Sequence, residues 1–121
     1  MKKIAIIGFG GAGYNAAREV RRRDAEAEIH VYSDTDIGPY NPMLTTYYVK
    51  GAIPYDAMFP FGTLEQIEQD LGLIVHRETP VTKLDPKNKT VYLADGSEAR
   101  YDKILISTGA SAVMPPIPGL D

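Results

Sequence analysis

The 121-residue sequence contains no cysteine. This excludes a disulfide staple, a thiolate metal site and a redox-active dithiol within these residues. Long apolar runs are missing too, so no segment reads as a membrane span. The N-terminus, Met1-Lys2-Lys3-Ile4, enters an apolar segment of only a few residues. A signal peptide would need a longer apolar stretch and a small-residue cleavage site, so a cytoplasmic location is the expectation. There is no excess of basic charge: the formal net charge is -3, which offers nucleic acid no positive face. His30 and His76, the two histidines, stand apart without partners at ligand spacing and read as structural, so no metal site is expected. What remains is an ordinary composition, 44% hydrophobic and 24% charged, in a chain sized for one domain with a modest core.

The chain opens on a short continuous apolar run, Lys3-Ile4-Ala5-Ile6-Ile7, ending in glycines. Such a run reads as a strand of a parallel sheet, buried on both faces. From Gly11 to about Arg23, Ala12, Ala16, Ala17 and Val20 follow helical spacing, with side chains small enough for close approach to a sheet. Glu28-Ile29-His30-Val31-Tyr32 reads as a second strand, and residues 33–40, rich in Asp, Thr, Gly and Pro, as a loop. Residues 43–50 suggest a short helix. Thr63, with Gln66 three residues on, opens a helix to about Leu71 that stops at Gly72. Leu73-Ile74-Val75 is a third buried strand.

Gly8-Phe9-Gly10-Gly11-Ala12-Gly13 matches G-x-G-x-x-G, directly after a strand and directly before a helix. Glycine is needed at each place: Gly8 for the tight turn, Gly10 for approach to a pyrophosphate, Gly13 for close helix–strand packing. The helix N-terminus adds free N–H groups and a partial positive charge for the phosphates. An acid is expected at the end of the second strand, to hold a ribose hydroxyl. Asp34 lies there, 21 residues beyond Gly13, with Asp36 as a competitor. The expected ligand is a dinucleotide with an unphosphorylated adenosine ribose.

After the third strand the pattern changes. Val81-Thr82-Lys83-Leu84, Thr90-Val91-Tyr92-Leu93 and Glu98-Ala99-Arg100-Tyr101 are short strands, joined through Asp85-Pro86-Lys87-Asn88-Lys89 and the hairpin signal Asp95-Gly96. They form an antiparallel meander rather than another β-α-β unit. Lys103-Ile104-Leu105-Ile106-Ser107 then returns to the buried-strand pattern, followed by Thr108-Gly109 and a proline-rich end. The fold class is α/β: a Rossmann-like doubly wound parallel sheet with an antiparallel β-meander in the last crossover.

In this order the pieces resemble the two-dinucleotide-domain flavoproteins, the pyridine nucleotide-disulfide oxidoreductase family that includes glutathione reductase, ferredoxin reductase and NADH oxidase. The resemblance rests on Gly8 to Gly13, Asp95-Gly96, Tyr101 to Gly109, and Pro116-Ile117-Pro118-Gly119, and it covers essentially the whole chain. It implies FAD as cofactor, with the pyrophosphate near Gly8, Gly10, Ala12 and Gly13 and the adenosine ribose on Asp34. It implies the backbone at Val81 against the adenine, and Thr108 and Gly109 beside the FAD crevice. Residues 1–114 then correspond to the N-terminal part of an FAD-binding domain. Residues 115–121 correspond to a linker towards an NAD(P)-binding domain, so the chain reads as a fragment whose partner is the rest of the same polypeptide.

The implied activity is transfer of hydride from NAD(P)H to FAD and on to an unidentified acceptor. No general acid, base or nucleophile stands out. Pro39-Tyr40-Asn41-Pro42-Met43-Leu44-Thr45 resembles the P-Y-x-R-P-x-L-S segment of the ferredoxin-reductase branch, one residue short and without its FAD-holding arginine. Disulfide-reducing branches place a cysteine in this region. Its absence excludes that chemistry from this segment.

Six aromatics between Tyr40 and Phe61 read equally as a wall over the flavin, a surface for a further domain or a local core cluster. Arg21-Arg22-Arg23 falls at a helix C-terminus, where positive charge is favourable, and reads as a solvated face. A small NAD-sensing regulatory Rossmann module is the alternative function, but it should continue β-α-β where this chain makes a meander. The isolated chain is expected to lose FAD and to associate as a homodimer or larger, through the edge of the strand at Ile104 to Ser107.

Overall fold

The computed structural model describes residues 1–120. Four strands form a parallel sheet: β1 (Lys3–Ile7), β2 (Glu28–Tyr32), β3 (Leu73–His76) and β7 (Lys103–Ile106). Their order is β3-β2-β1-β7. The chain lays down β1, β2 and β3 outward in one direction and returns to place β7 on the other flank of β1. The direction of winding therefore reverses between β1 and β7, and in open α/β sheets the crevice at the carboxyl ends of such a pair is where ligands bind.

Strict alternation along the central strands separates two cores. Ile6, Ile29 and Val31 face one side, against Ala17 of α1 (Gly11–Arg23) and Leu64 and Ile67 of α3 (Leu64–Leu71). Each such isoleucine or leucine contributes roughly 1.5–3 kcal/mol on burial. Ala17 is fully buried, and its small side chain lets α1 lie close on the sheet. Ala5, Ile7 and Tyr32 face the other side, where Val91 and Tyr101 cover them. That second cover is the antiparallel meander of β4 (Val81–Asp85), β5 (Thr90–Leu93) and β6 (Glu98–Arg100). One face of the sheet therefore carries helices and the other a three-stranded sheet, inserted within the crossover from β3 to β7.

Local chemistry explains the element ends. Thr63 accepts from the Gln66 N–H while the Gln66 side chain accepts from the Thr63 N–H, a capping box opening α3, and Gly72 closes it at φ +61°. Asp95 accepts from the Ser97 N–H and hydroxyl, and Gly96 takes φ +87°, making the hairpin turn. Residues 43–50, expected as one short helix, fall instead in a 3-10 turn (Pro42–Leu44) and α2 (Thr45–Lys50), with Asn41 capping the turn. A second 3-10 turn, Tyr55–Met58, had no signal in the sequence pattern. No described helix is long and apolar enough to cross a membrane.

Two expectations are corrected. Arg21 is not part of a merely solvated face. Its guanidinium donates to the carbonyls of Leu71 (2.7 Å), Gly72 (3.0 Å), Ala25 (2.8 Å) and Asp24 (3.3 Å), bracketing the C-terminal ends of α1 and α3. Arg22 and Arg23 do stay at the surface, paired with Glu19. The histidines are not isolated either, since pairing of β2 with β3 sets Tyr32 opposite His76 and brings the His30 ring beside the His76 ring.

Candidate functional site

The site begins where β1 ends. The Gly8 N–H donates to the Tyr32 carbonyl at the end of β2 (2.8 Å), and Gly8 takes φ +91°. A Cβ at Gly8 would lie 2.4 Å from the Ser107 carbonyl oxygen, so only glycine fits between β1 and the end of β7. Gly13, buried in the first turn of α1, is equally constrained, because its Cβ would meet the Gly8 carbonyl oxygen at 2.3 Å. Gly10 differs: a Cβ there would have nothing within 4 Å. What it would occupy is open space in front of the helix.

That space faces unpaired donors. The first intrahelical bond of α1 runs from the Tyr14 N–H to the Gly10 carbonyl (3.0 Å). The N–H groups of Phe9, Gly10, Gly11, Ala12 and Gly13 donate to no acceptor among the described residues. No side chain caps this end of α1, and its first turn holds no acid. Five consecutive free donors at the positive end of a helix dipole form an anion-binding concavity.

The concavity opens into a cleft of about 470 Å³ between the ends of β1, β2 and β7. Gly8, Gly10, Asp34, Thr108 and Gly109 all line it, so the structure brings together five of the eight residues expected from sequence. A smaller branch of about 150 Å³ is lined by Val81, with Gly8, Asp34 and Thr108 shared between the two. Gly13 packs behind the wall, and Ala12 stands exposed in the first turn of α1 without lining either space. Asp36 instead borders a different hollow, beside Tyr55 and Phe59. The two aspartates that spacing alone left competing thus line different hollows.

Asp34 is exposed, and its loop is tied down. The Ser33 N–H donates to the His76 carbonyl (3.0 Å) and the Thr79 N–H to the Ser33 carbonyl (2.8 Å), so the segment after β3 braces the segment after β2. Pro39, Tyr40 and Pro42 form the far wall. No lysine or arginine lines the cleft among the described residues, in keeping with the arginine missing between Tyr40 and Pro42. Affinity for an anion must therefore come from backbone donors and the dipole.

The aromatic segment resolves into a surface cluster. Tyr40, Phe59, Tyr55 and Tyr48 touch in series, while Phe61 stacks on Tyr14 of α1 with ring centroids 4.0 Å apart. None of the six aromatics is fully buried, so the local-core reading fails. Two features escaped sequence reasoning. One is the row of free donors; the other is the Ser107 hydroxyl, which reaches the glycine loop from the end of β7. Only the register of β7 against β1 reveals that second contact.

Residues 2–121 match the family model described as pyridine nucleotide-disulphide oxidoreductase. The chain is 33% identical to the NADH-dependent phenylglyoxylate dehydrogenase subunit epsilon of Aromatoleum evansii, covering 98% of this chain and 28% of that protein. It is 31% identical to an NADH oxidase of Methanocaldococcus jannaschii, with the same shares covered. Among solved structures it superposes on the water-forming NADH oxidase from Lactobacillus brevis bound to NADH, with a TM-score of 0.90 and 27% identity, over 100% of this chain and 28% of that one. The chain thus spans a little over a quarter of the length of the relatives it matches.

Proposed function

The chain belongs to the pyridine nucleotide-disulphide oxidoreductase family, and from that premise we propose that its cleft holds the adenosine diphosphate half of FAD, as part of an NAD(P)H-dependent oxidoreductase. The observation that carries the reading is the row of five free N–H groups from Phe9 to Gly13 at the start of α1, with clear space in front of Gly10. The donor set fits a pyrophosphate, which brings acceptors and negative charge and needs close backbone approach. The carboxylate of Asp34 accepts from the ribose hydroxyls, and the backbone at Val81 borders the adenine. Thr108 and Gly109 close the crevice on the β7 side, and Ala12 contributes its N–H alone.

Bound FAD supplies the redox chemistry, acceptance of hydride from NAD(P)H and its delivery to an acceptor. This chain's own residues bind, orient and wall the cofactor. The remainder of the polypeptide, beyond the proline-rich segment 115–121, holds the other half of the cofactor and the nicotinamide. Alone, these 121 residues release FAD, because half the contacts are lost while the ordering cost stays. They also associate with a second copy through the free edge of β7.

The test is calorimetric titration of the full-length apoprotein with FAD and with ADP. Saturable binding of both is expected, weakened about tenfold in Asp34→Ala by loss of a charge-assisted hydrogen bond and unchanged in Asp36→Ala. Failure of the unmodified protein to bind either ligand would overturn the reading.

A further inference from the structure

Gly8 offers a carbonyl as well as a turn. Its oxygen accepts from the Ser107 hydroxyl at 2.8 Å and from no other donor among the described residues. The Ile7 carbonyl, 3.1 Å from the same hydroxyl, already receives the Ser107 N–H at 2.8 Å. One hydroxyl proton serves one strong bond, and the Gly8 oxygen is both nearer and otherwise unserved. The contact spans 99 residues and joins the glycine loop to the end of β7.

The direction of this carbonyl decides the direction of a donor. In a planar trans peptide the C=O and the following N–H point opposite ways. With the Gly8 oxygen held inward, against Ser107 and the first turn of α1, the Phe9 N–H faces outward to the cleft that Phe9 lines. The reverse orientation would place a carbonyl oxygen in the path of an anion and turn the first of the five donors away. Glycine at φ +91° has no side chain to bias the choice. The main chain supplies no partner for this oxygen either. We infer that Ser107 is a positioning residue: its hydroxyl fixes the Gly8–Phe9 peptide so that the loop presents donors, and no acceptor, to a dinucleotide pyrophosphate. This rests on the reading that the cleft binds that pyrophosphate.

The effect belongs to phosphate recognition alone. Adenosine would occupy the Asp34 and Val81 end of the cleft and does not depend on the Phe9 donor, whereas ADP does. The experiment is therefore calorimetric titration of the full-length apoprotein, unmodified and as Ser107→Ala, with ADP and with adenosine. The expected result is ADP binding weakened about tenfold, from loss of one hydrogen bond that orients a second, with adenosine binding unchanged within about twofold. Ser107→Cys fills nearly the same volume with a weak donor and should shift the ADP-to-adenosine ratio the same way; it decides the matter if Ser107→Ala does not fold. Equal weakening of both ligands, or a ratio unchanged in the variant that folds, would overturn the positioning role. Absence of ADP binding by the unmodified protein would instead remove the pyrophosphate reading beneath it.

Discussion

His30 Nδ1 and His76 Nε2 lie 2.9 Å apart across β2 and β3, although 46 residues separate them in sequence. The other His30 nitrogen, Nε2, meets Glu28 Oε1 at 2.6 Å and donates to that carboxylate oxygen. The Tyr32 ring stacks on His76, with centroids 4.4 Å apart, and its hydroxyl bonds that of Tyr101 beneath the meander. Burial pushes the Tyr101 hydroxyl well above its ordinary range, aided by its bond to Tyr32. This network joins the parallel sheet to its second cover.

The network makes stability depend on pH. Burial holds His76 below its ordinary value of 6.5, reinforced by His30 and opposed by Glu68. Glu28, bonded to His30 and near Lys3, is held below the usual carboxylate range. Glu68 is likewise low through its bonds to the Val75 N–H and Arg77, despite its burial. A lowered folded pKa means the unfolded chain binds more protons, so stability is full above 6.5 and declines as pH falls through the His76 value. The carboxylates add a loss of the same sign at lower pH. The melting temperature of the full-length protein should fall between about pH 7 and 5, and His76→Phe, which keeps the stack, should flatten that fall. An identical fall in the variant would assign the pH dependence elsewhere.

The glycines of the loop separate folding from binding. Gly13→Ala drives a Cβ against the Gly8 oxygen, 2.3 Å away on rigid backbone, and should lower the melting temperature and cofactor content together. Gly10→Ala meets nothing, and Gly10 already holds an extended conformation at φ -88°. It should therefore melt with the unmodified protein while flavin absorbance of the purified full-length variant drops severalfold, since the methyl stands where the pyrophosphate approaches. Full flavin occupancy in Gly10→Ala would contradict the placement of the pyrophosphate.

Sequence legibility followed the range of the forces involved. The run at Lys3 to Ile7, the Thr63 capping box and the Asp95-Gly96 hairpin are local, and each forms where its residues indicated. That Asp34 and Asp36 border different hollows was not local: the Asp34 loop is placed by Ser33 being braced by residues after β3, and so by strand pairing. The histidine pair and the Ser107 contact were invisible for the same reason. His30 and His76 are brought together by the register of β2 with β3, and Ser107 meets Gly8 through the register of β1 with β7. Arg21 was misread because its acceptors are main-chain carbonyls, which no side-chain pattern announces.

Arg21 carries a stability prediction. Its guanidinium serves four carbonyls at the ends of two helices, where their dipoles are negative. Arg21→Ala should cost roughly 1.5–3 kcal/mol in urea unfolding, the range for hydrogen bonds that involve a charged group. Arg21→Lys should recover only a minor part, because an ammonium cannot span a planar fork of acceptors. Arg22→Ala, at the surface beside Glu19, should stay within about 0.5 kcal/mol. Equal effects at the two positions would mean that the bracket does not hold the helix ends.

The last prediction concerns the flank of the parallel sheet. β7 pairs with β1 on one side and with no described strand on the other. Its outer residues are unusually exposed for a parallel strand, with Ile106 at 62% and Leu105 at 40%. Beside it, Leu84, Pro86 and Ile104 line an open groove of about 390 Å³, so an apolar surface continues from the strand onto the meander. A row of unpaired N–H and C=O groups next to such a surface favours pairing with another strand. A second copy presents the same edge, and two β7 strands meeting antiparallel about a twofold axis would satisfy both rows at once. Light scattering of the 121-residue chain over a dilution series should therefore report a dimer or larger species that dissociates on dilution. Leu105→Lys should shift that dissociation to higher concentration without changing the melting temperature of the monomer, because charge on an edge opposes pairing. A monomer throughout the series, with or without the lysine, would show that the β7 edge does not pair.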